Sequence, residues 1–254
     1  ESQWFSPNHP EIGNSLLGVY NNYKKHLENA KRQGFHSRTN FSYEKMKEKL
    51  KEIQDNSIQT CITSPPYWGL RDYGDSNQIG LEQSPQDYVQ QLVEVFREVW
   101  RCLKNDGTLW LNLGDSYSGS GKGPAGNLGT NHNERDMENK HSAIVPNGLK
   151  PKDLVGIPWL VAFALQADGW YLRQDIIWAK PNPMPESVTD RCTKAHEYVF
   201  LLSKSKKYYY NADKIAESKS MKSKSVSDKK TRNKHSVWTV TTKGFKGAHF
   251  ATFP

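Results

Sequence analysis

Apolar residues recur at three-to-four spacing through two stretches near the start of the chain. Leu16, Tyr20, Tyr23, Leu27 and Ala30 predict an amphipathic helix over 15–33, with Gly34 as its stop. Tyr43, Met46, Leu50 and Ile53 predict a second helix over 43–53, capped by Ser42. Asp55-Asn56-Ser57 then turns the chain into a short apolar run over 58–63, which reads as a strand. Ser84-Pro85-Gln86-Asp87 supplies a cap, a proline at the first helical position and an acid in the first turn. Tyr88, Leu92, Val95, Phe96, Val99 and Leu103 form the buried stripe of the helix that follows, over 86–103. Asn105-Asp106-Gly107 reads as a turn and 108–113 as a strand. Strand, helix and strand in that order predict a parallel pair joined by a right-handed crossover.

The pattern then lapses. Residues 117–150 have no period and are rich in glycine, asparagine and charge, as in a long loop. Within them Gly119-Ser120-Gly121-Lys122-Gly123 lacks the spacing of a phosphate-binding loop. A helix resumes near Pro158 with Trp159, Leu160, Ala162, Phe163, Ala164 and Leu165, and ends at Asp168-Gly169. Strands follow over 171–179 and 198–202, separated by the breaker Pro181-Asn182-Pro183-Met184-Pro185. Two strands with an irregular link predict an antiparallel pair at the edge of an α/β sheet.

Composition narrows the class. At 254 residues the chain suffices for one large α/β domain, or one domain with an appendage. A mean hydropathy of −0.81 points to a sizeable share of polar loop or tail. No apolar run approaches the ~20 residues of a membrane span, and no signal-peptide core is present, so a soluble, cytoplasmic protein is expected. Cys61, Cys102 and Cys192 are odd in number and far apart, with no Cys-x-x-Cys pair, which argues against a disulfide framework and against a bound metal. The excess of 35 basic over 27 acidic residues gives a net charge of +8, suited to a polyanion. That charge gathers between Lys204 and Lys234, where Lys222, Lys224, Lys229, Lys230 and Arg232 are the candidate phosphate contacts. On composition alone, a solvated basic loop fits this stretch equally well.

The most informative residues are Thr63-Ser64-Pro65-Pro66-Tyr67, at the carboxyl end of the strand over 58–63. Adjacent prolines fix two φ angles, remove two backbone donors and hold the preceding residues extended. The product is a stiff corner with a serine on one side, an aromatic ring on the other and carbonyls pointing outward. Ligands of open α/β sheets bind at such strand ends, and this corner suits a flat, amino-bearing ligand such as a nucleobase.

The run resembles the (S/D/N)-P-P-(Y/F) motif of the amino-methyltransferases, which use S-adenosylmethionine to methylate N4 of cytosine or N6 of adenine in DNA. The match extends through Trp68-Gly69-Leu70-Arg71-Asp72-Tyr73-Gly74, through 168–181 and through His196-Glu197-Tyr198-Val199-Phe200-Leu201-Leu202, and so covers roughly 41–254. The resemblance implies a Rossmann-like sheet, mostly parallel, closed by an antiparallel edge hairpin. It implies double-stranded DNA as partner and a target base that leaves the duplex stack. Ser64 and the Pro65 carbonyl would accept from the base amine, Pro66 would stiffen the corner and Tyr67 would stack on the base. Trp68 reads as a pocket wall or as packing in equal measure, Asp115 as a turn carboxylate and His196-Glu197 as structural. The serine form is similar to the N4-cytosine members. Adenine N6 is the alternative target, and a non-catalytic DNA-binding remnant is the alternative of another class.

The resemblance also divides the chain. It implies an N-terminal helical segment over 1–40, a catalytic domain over 41–203, a basic DNA-recognition segment over 204–240 and the start of a cofactor-wall segment over 241–254. Thr63, Thr252, Phe253 and Pro254 are the expected cofactor contacts. The glycine-rich turn F-x-G-x-G, through which the family holds its cofactor, does not occur in the sequence. The sheet is therefore expected to be incomplete, with the rest of the cofactor lobe elsewhere in a longer chain or on another one. Oligomeric state and a cognate restriction endonuclease are left open.

Overall fold

Ser42 opens the first helix as its sequence predicts, its hydroxyl accepting from the Lys45 amide at 3.4 Å. The computed structural model of the chain describes residues 42–70, 77–119, 145–218 and 231–242. The helix expected over 15–33, most of the loop over 117–150 and the sequence beyond 242 lie outside them. The first helix, α1 (Tyr43–Lys51), lays Tyr43, Met46 and Leu50 against the core. Strand β1 (Ile58–Thr63) has the expected bounds.

Helix α2 (Pro85–Cys102) starts at Ser84, whose hydroxyl accepts from the Asp87 amide at 3.1 Å. Its predicted stripe is buried throughout, with Tyr88 and Leu92 wholly removed from water. Strand β2 (Leu103–Leu113) begins five residues before the expected bound. Asn105-Asp106-Gly107, read as a turn, instead bulges within this strand. Ile58 pairs with Leu103 and Thr60 with Thr108, so the extra residues are pushed out of the parallel ladder between β1 and β2.

Helix α3 (Ile157–Ala167) follows, capped by Gly156 in the left-handed region at φ 81°. Strands β3 (Tyr171–Ala179) and β4 (His196–Ser203) pair antiparallel as expected. The main sheet runs β1-β2-β4-β3-β7, where β7 (Val237–Thr239) pairs parallel with β3 and covers its outer edge. Among these five strands β1, β2, β3 and β7 run one way and β4 alone runs against them. A short helix α4 (Ala212–Ile215) precedes a two-stranded ribbon of β5 (Glu217–Ser218) and β6 (Thr231–Arg232).

The two faces of the sheet differ. On one, Leu109, Leu111, Leu113, Phe200 and Leu202 meet α2 and α3 in the main core. Alternation puts Ile176, Trp178 and Val199 on the other, packed with Trp110 and Trp238, whose rings stack at 6.1 Å. The carboxyl ends of β1, β2 and β3 and the amino end of β4 share one edge of the sheet. Among the described residues no helix is long and apolar enough to cross a membrane, and no cluster of His, Cys, Asp and Glu could hold a metal ion.

Candidate active site

The two prolines carry the chain off the end of β1, and the rest of the molecule clamps the corner they make. Pro65 is buried, and the Pro66 carbonyl accepts from the Tyr88 hydroxyl of α2 at 2.8 Å. The Pro65 carbonyl has no hydrogen-bond partner among the described residues. Gly80 crosses beneath: a Cβ there would lie 2.8 Å from the Tyr67 carbonyl oxygen, and its φ of 102° disfavours any side chain. Gly114, after β2, abuts the Tyr67 ring so closely that a Cβ would stand 2.6 Å from Cε2. Trp68 donates its indole N–H to the Glu82 carbonyl at 2.9 Å and packs against the core.

The Tyr67 hydroxyl is the hub of a polar network. It donates to Glu197 Oε2 at 2.8 Å, and it accepts from Ser64 Oγ at 3.2 Å and Asn112 Nδ2 at 2.8 Å. Asn112 Nδ2 also reaches Glu197 Oε2 at 3.0 Å. Lys180, just past β3, pairs with Glu197 Oε1 and lies 4.4 Å from the centre of the Trp178 ring. Both partners of this pair are only 17% exposed, too little for water to screen it as it screens a surface ion pair. Burial works against the charge of Glu197, yet Lys180, with Tyr67 and Asn112, holds the carboxyl below its ordinary value. Burial and then the Glu197 charge push the Tyr67 phenol far up, so the hydroxyl keeps its proton.

A second layer closes the edge. Asp115 Oδ1 accepts from the amides of Ser116, Gly156 and Ile157 at 2.9, 2.9 and 3.0 Å, so this turn carboxylate ties the end of β2 to the start of α3. The link from β3 to β4 folds over that junction. Arg191 lies 4.0 Å from the centre of the Tyr117 ring and pairs with Glu186 at 2.5 Å. Burial lowers the pKa of Lys194, against the pull of Asp115 and Glu197.

Of the residues singled out from the sequence, the fold brings Thr63, Ser64, Pro65, Pro66 and Tyr67 to one strand end. Arg232 sits apart, in β6, engaged with Glu217 at 3.4 Å. Lys222, Lys224, Lys229, Lys230, Thr252, Phe253 and Pro254 lie outside the described residues. Sequence reasoning missed Asn112, Lys180 and the part played by Glu197. Asn112 carried a signal, being the polar position within the apolar run from Leu109 to Leu113. Lys180 and Glu197 are opposite charges at the facing ends of the predicted antiparallel pair.

Chemically, the corner offers oxygen acceptors, and among the described residues no thiol joins its network. The Cys61 thiol is pushed up by burial, and neither Cys102 nor Cys192 enters the network. Acceptors such as Ser64 Oγ and the Pro65 carbonyl suit amine hydrogens. The Glu197 carboxylate behind them suits positive charge developing at the amine.

Comparison with known proteins agrees with this chemistry. Residues 58–254 match the family model described as DNA methylase, of N6/N4 type. The type II methyltransferase M.SmaI of Serratia marcescens is 53% identical over 208 residues, covering 79% of this chain and 66% of that protein. M.Cfr9I of Citrobacter freundii, also a type II methyltransferase, is 50% identical over 210 residues, covering 81% of this chain and 65% of that one. The chain thus spans just under two thirds of the length of these relatives. In fold it is similar to the PvuII DNA methyltransferase, titled cytosine-N4-specific, with a TM-score of 0.50 at 17% identity over 80% of this chain and 57% of that one.

Proposed function

Since the chain belongs to the N6/N4 DNA methylase family, we propose that it carries the amine-binding half of a DNA methyltransferase active site and that its target is N4 of cytosine. The observation that carries this reading is the state of Ser64. Its proton is spent on Tyr67, which leaves its lone pairs, with the unpartnered Pro65 carbonyl, to take the hydrogens of an exocyclic amine. An aryl amine is a weak nucleophile, because its lone pair is delocalised into the ring. Two acceptors that orient and partly pyramidalise it supply much of what methyl transfer needs. The serine form of the motif favours cytosine over adenine.

When bound, S-adenosylmethionine supplies the methyl group and leaves as a neutral thioether, so the amine gives up one proton. The oxygen-rich corner fits a sulfonium cation beside it. Thr63, at the end of β1, and Thr252, Phe253 and Pro254 are the residues of this chain that would hold it. Double-stranded DNA is the substrate, with the target base turned out of the stack against Tyr67. Lys222, Lys224, Lys229, Lys230 and Arg232 would neutralise phosphates. The type II relatives suggest a place in restriction-modification, with a cognate endonuclease as partner.

The test is Ser64→Ala. The variant is expected to lose methyl transfer to unmodified DNA by at least ~100-fold, the span of one positioned catalytic group, while its DNA affinity stays within about threefold. Transfer at the wild-type rate would defeat the assignment. In the same binding assay, reversing the charge of Lys222, Lys224, Lys229 and Lys230 should flatten the salt dependence. An unchanged slope would remove the basic run from the interface.

A further inference from the structure

The hydrogen bonds around Tyr67 have only one consistent direction. An ionised carboxylate can only accept, so Asn112 must turn its NH2 group to Glu197, and the same nitrogen then donates to Tyr67. The single proton of Tyr67 therefore goes to Glu197, at 2.8 Å, and the Ser64 hydroxyl must donate to Tyr67. Holding Asn112 this way leaves its Oδ1 buried with no partner. Every link thus points away from the ligand side of Ser64 and toward Glu197.

We propose that Ser64, Tyr67 and Glu197 form a proton wire that carries the proton of the methylated amine to the Glu197 carboxylate, with Lys180 positioning that carboxylate in its charged form. The inference rests on the reading of the corner as an amine site. The step balances. The amine N–H bond breaks and its electron pair stays on nitrogen. Ser64 Oγ takes that proton and passes its own to Tyr67 Oη, which passes its own to Glu197 Oε2. One proton moves from amine to carboxylate, and no hydroxyl is left ionised. The shift is downhill, because the exocyclic amine of an electron-poor base, once it has gained a methyl group while keeping both hydrogens, has lost its delocalisation into the ring and is a far stronger acid than a carboxyl group. Glu197 and Lys180 act through Tyr67 and Ser64, and so are positioning residues. Among the described residues Lys180, Lys194 and Tyr67 are the titratable groups that act on Glu197.

The experiment uses the native protein, tritiated S-adenosylmethionine and DNA amplified in vitro, under single-turnover conditions. Glu197→Gln and Tyr67→Phe are each expected to slow transfer by at least ~100-fold, with DNA affinity within about threefold. Formate should restore part of the rate to Glu197→Ala, while chloride should not. A second readout needs no cofactor. In protein labelled at the tyrosine ζ-carbon, the resonance missing from Tyr67→Phe should move at neutral pH in Glu197→Gln, because the acceptor of its proton has lost its charge. Transfer within threefold of wild type in Tyr67→Phe, which keeps the ring and the fold, would overturn the wire. So would an unmoved Tyr67 resonance. If either occurs while Ser64→Ala is inactive, the wire falls and the amine site stands. If Ser64→Ala is also active, both fall together.

Discussion

Gly114 sets how much room the corner has. A methyl group on it would stand 2.6 Å from the edge of the Tyr67 ring, so either the ring or the end of β2 must yield by about an ångström to reach ordinary contact. Moving the ring drags its hydroxyl away from Ser64, Asn112 and Glu197 together. Gly114→Ala is therefore expected to lower the single-turnover rate by ~100-fold, the scale on which a misplacement of this size acts, without unfolding the chain. A rate within threefold of wild type would show that the position of Tyr67 is not critical. At this scale the sequence was legible where the chemistry is local. Two prolines constrain their own neighbours, so Ser64 to Tyr67 could be read without a fold. Glu197 could not. Its place is set by the register that puts it opposite Trp178, next to Lys180 and within reach of Asn112, and local pattern says which face a residue occupies but not what it meets there. Asp115, read as a turn carboxylate, is one, and it also caps α3.

The elements were more legible than their partners. The stripe of α2 follows from its period, and its start from Ser84 and Pro85. That Tyr88 in this stripe reaches the Pro66 carbonyl depends on how α2 crosses the sheet. The bulge in β2 went unseen for a related reason. Asn-Asp-Gly is a local turn signal, whereas a strand is defined by its ladder, which resumes on the far side of the bulge. The segment between β1 and α2 yields a pH prediction. Half-buried Glu82 accepts the Gly80 amide at 2.9 Å, and burial pushes its pKa up to about 7, with Asp87 adding to the rise and the Gly80 amide opposing it. The fold prefers its neutral form. That contribution to stability is full below the ordinary carboxyl value and is lost as pH rises through about 7. Glu82→Gln should therefore melt above wild type at pH 8 and alongside it at pH 4. Parallel melting curves at both values would contradict a protonated Glu82.

At the scale of the molecule, one strand of the main sheet runs against four among the described residues, and this places Ser64, Tyr67, Asn112, Lys180 and Glu197 at a single edge. Because β4 enters where β1, β2 and β3 leave, Glu197 at its start meets Tyr67, Asn112 and Lys180 at their ends. The sequence made the α/β class and the antiparallel pair legible, because strand and helix periods alternate cleanly over 58–113 and resume over 158–202. It did not reveal β7, three residues whose pairing with β3 is a tertiary event. The same edge, with oxygen acceptors at its centre, suits transfer of a methyl group to an amine. The direct measurement is mass spectrometry of nucleosides from unmodified DNA incubated with the native protein and S-adenosylmethionine. N4-methylcytosine is the expected product. N6-methyladenine in its place, or no methylated nucleoside at all, would contradict the reading of Ser64 as the acceptor for cytosine N4.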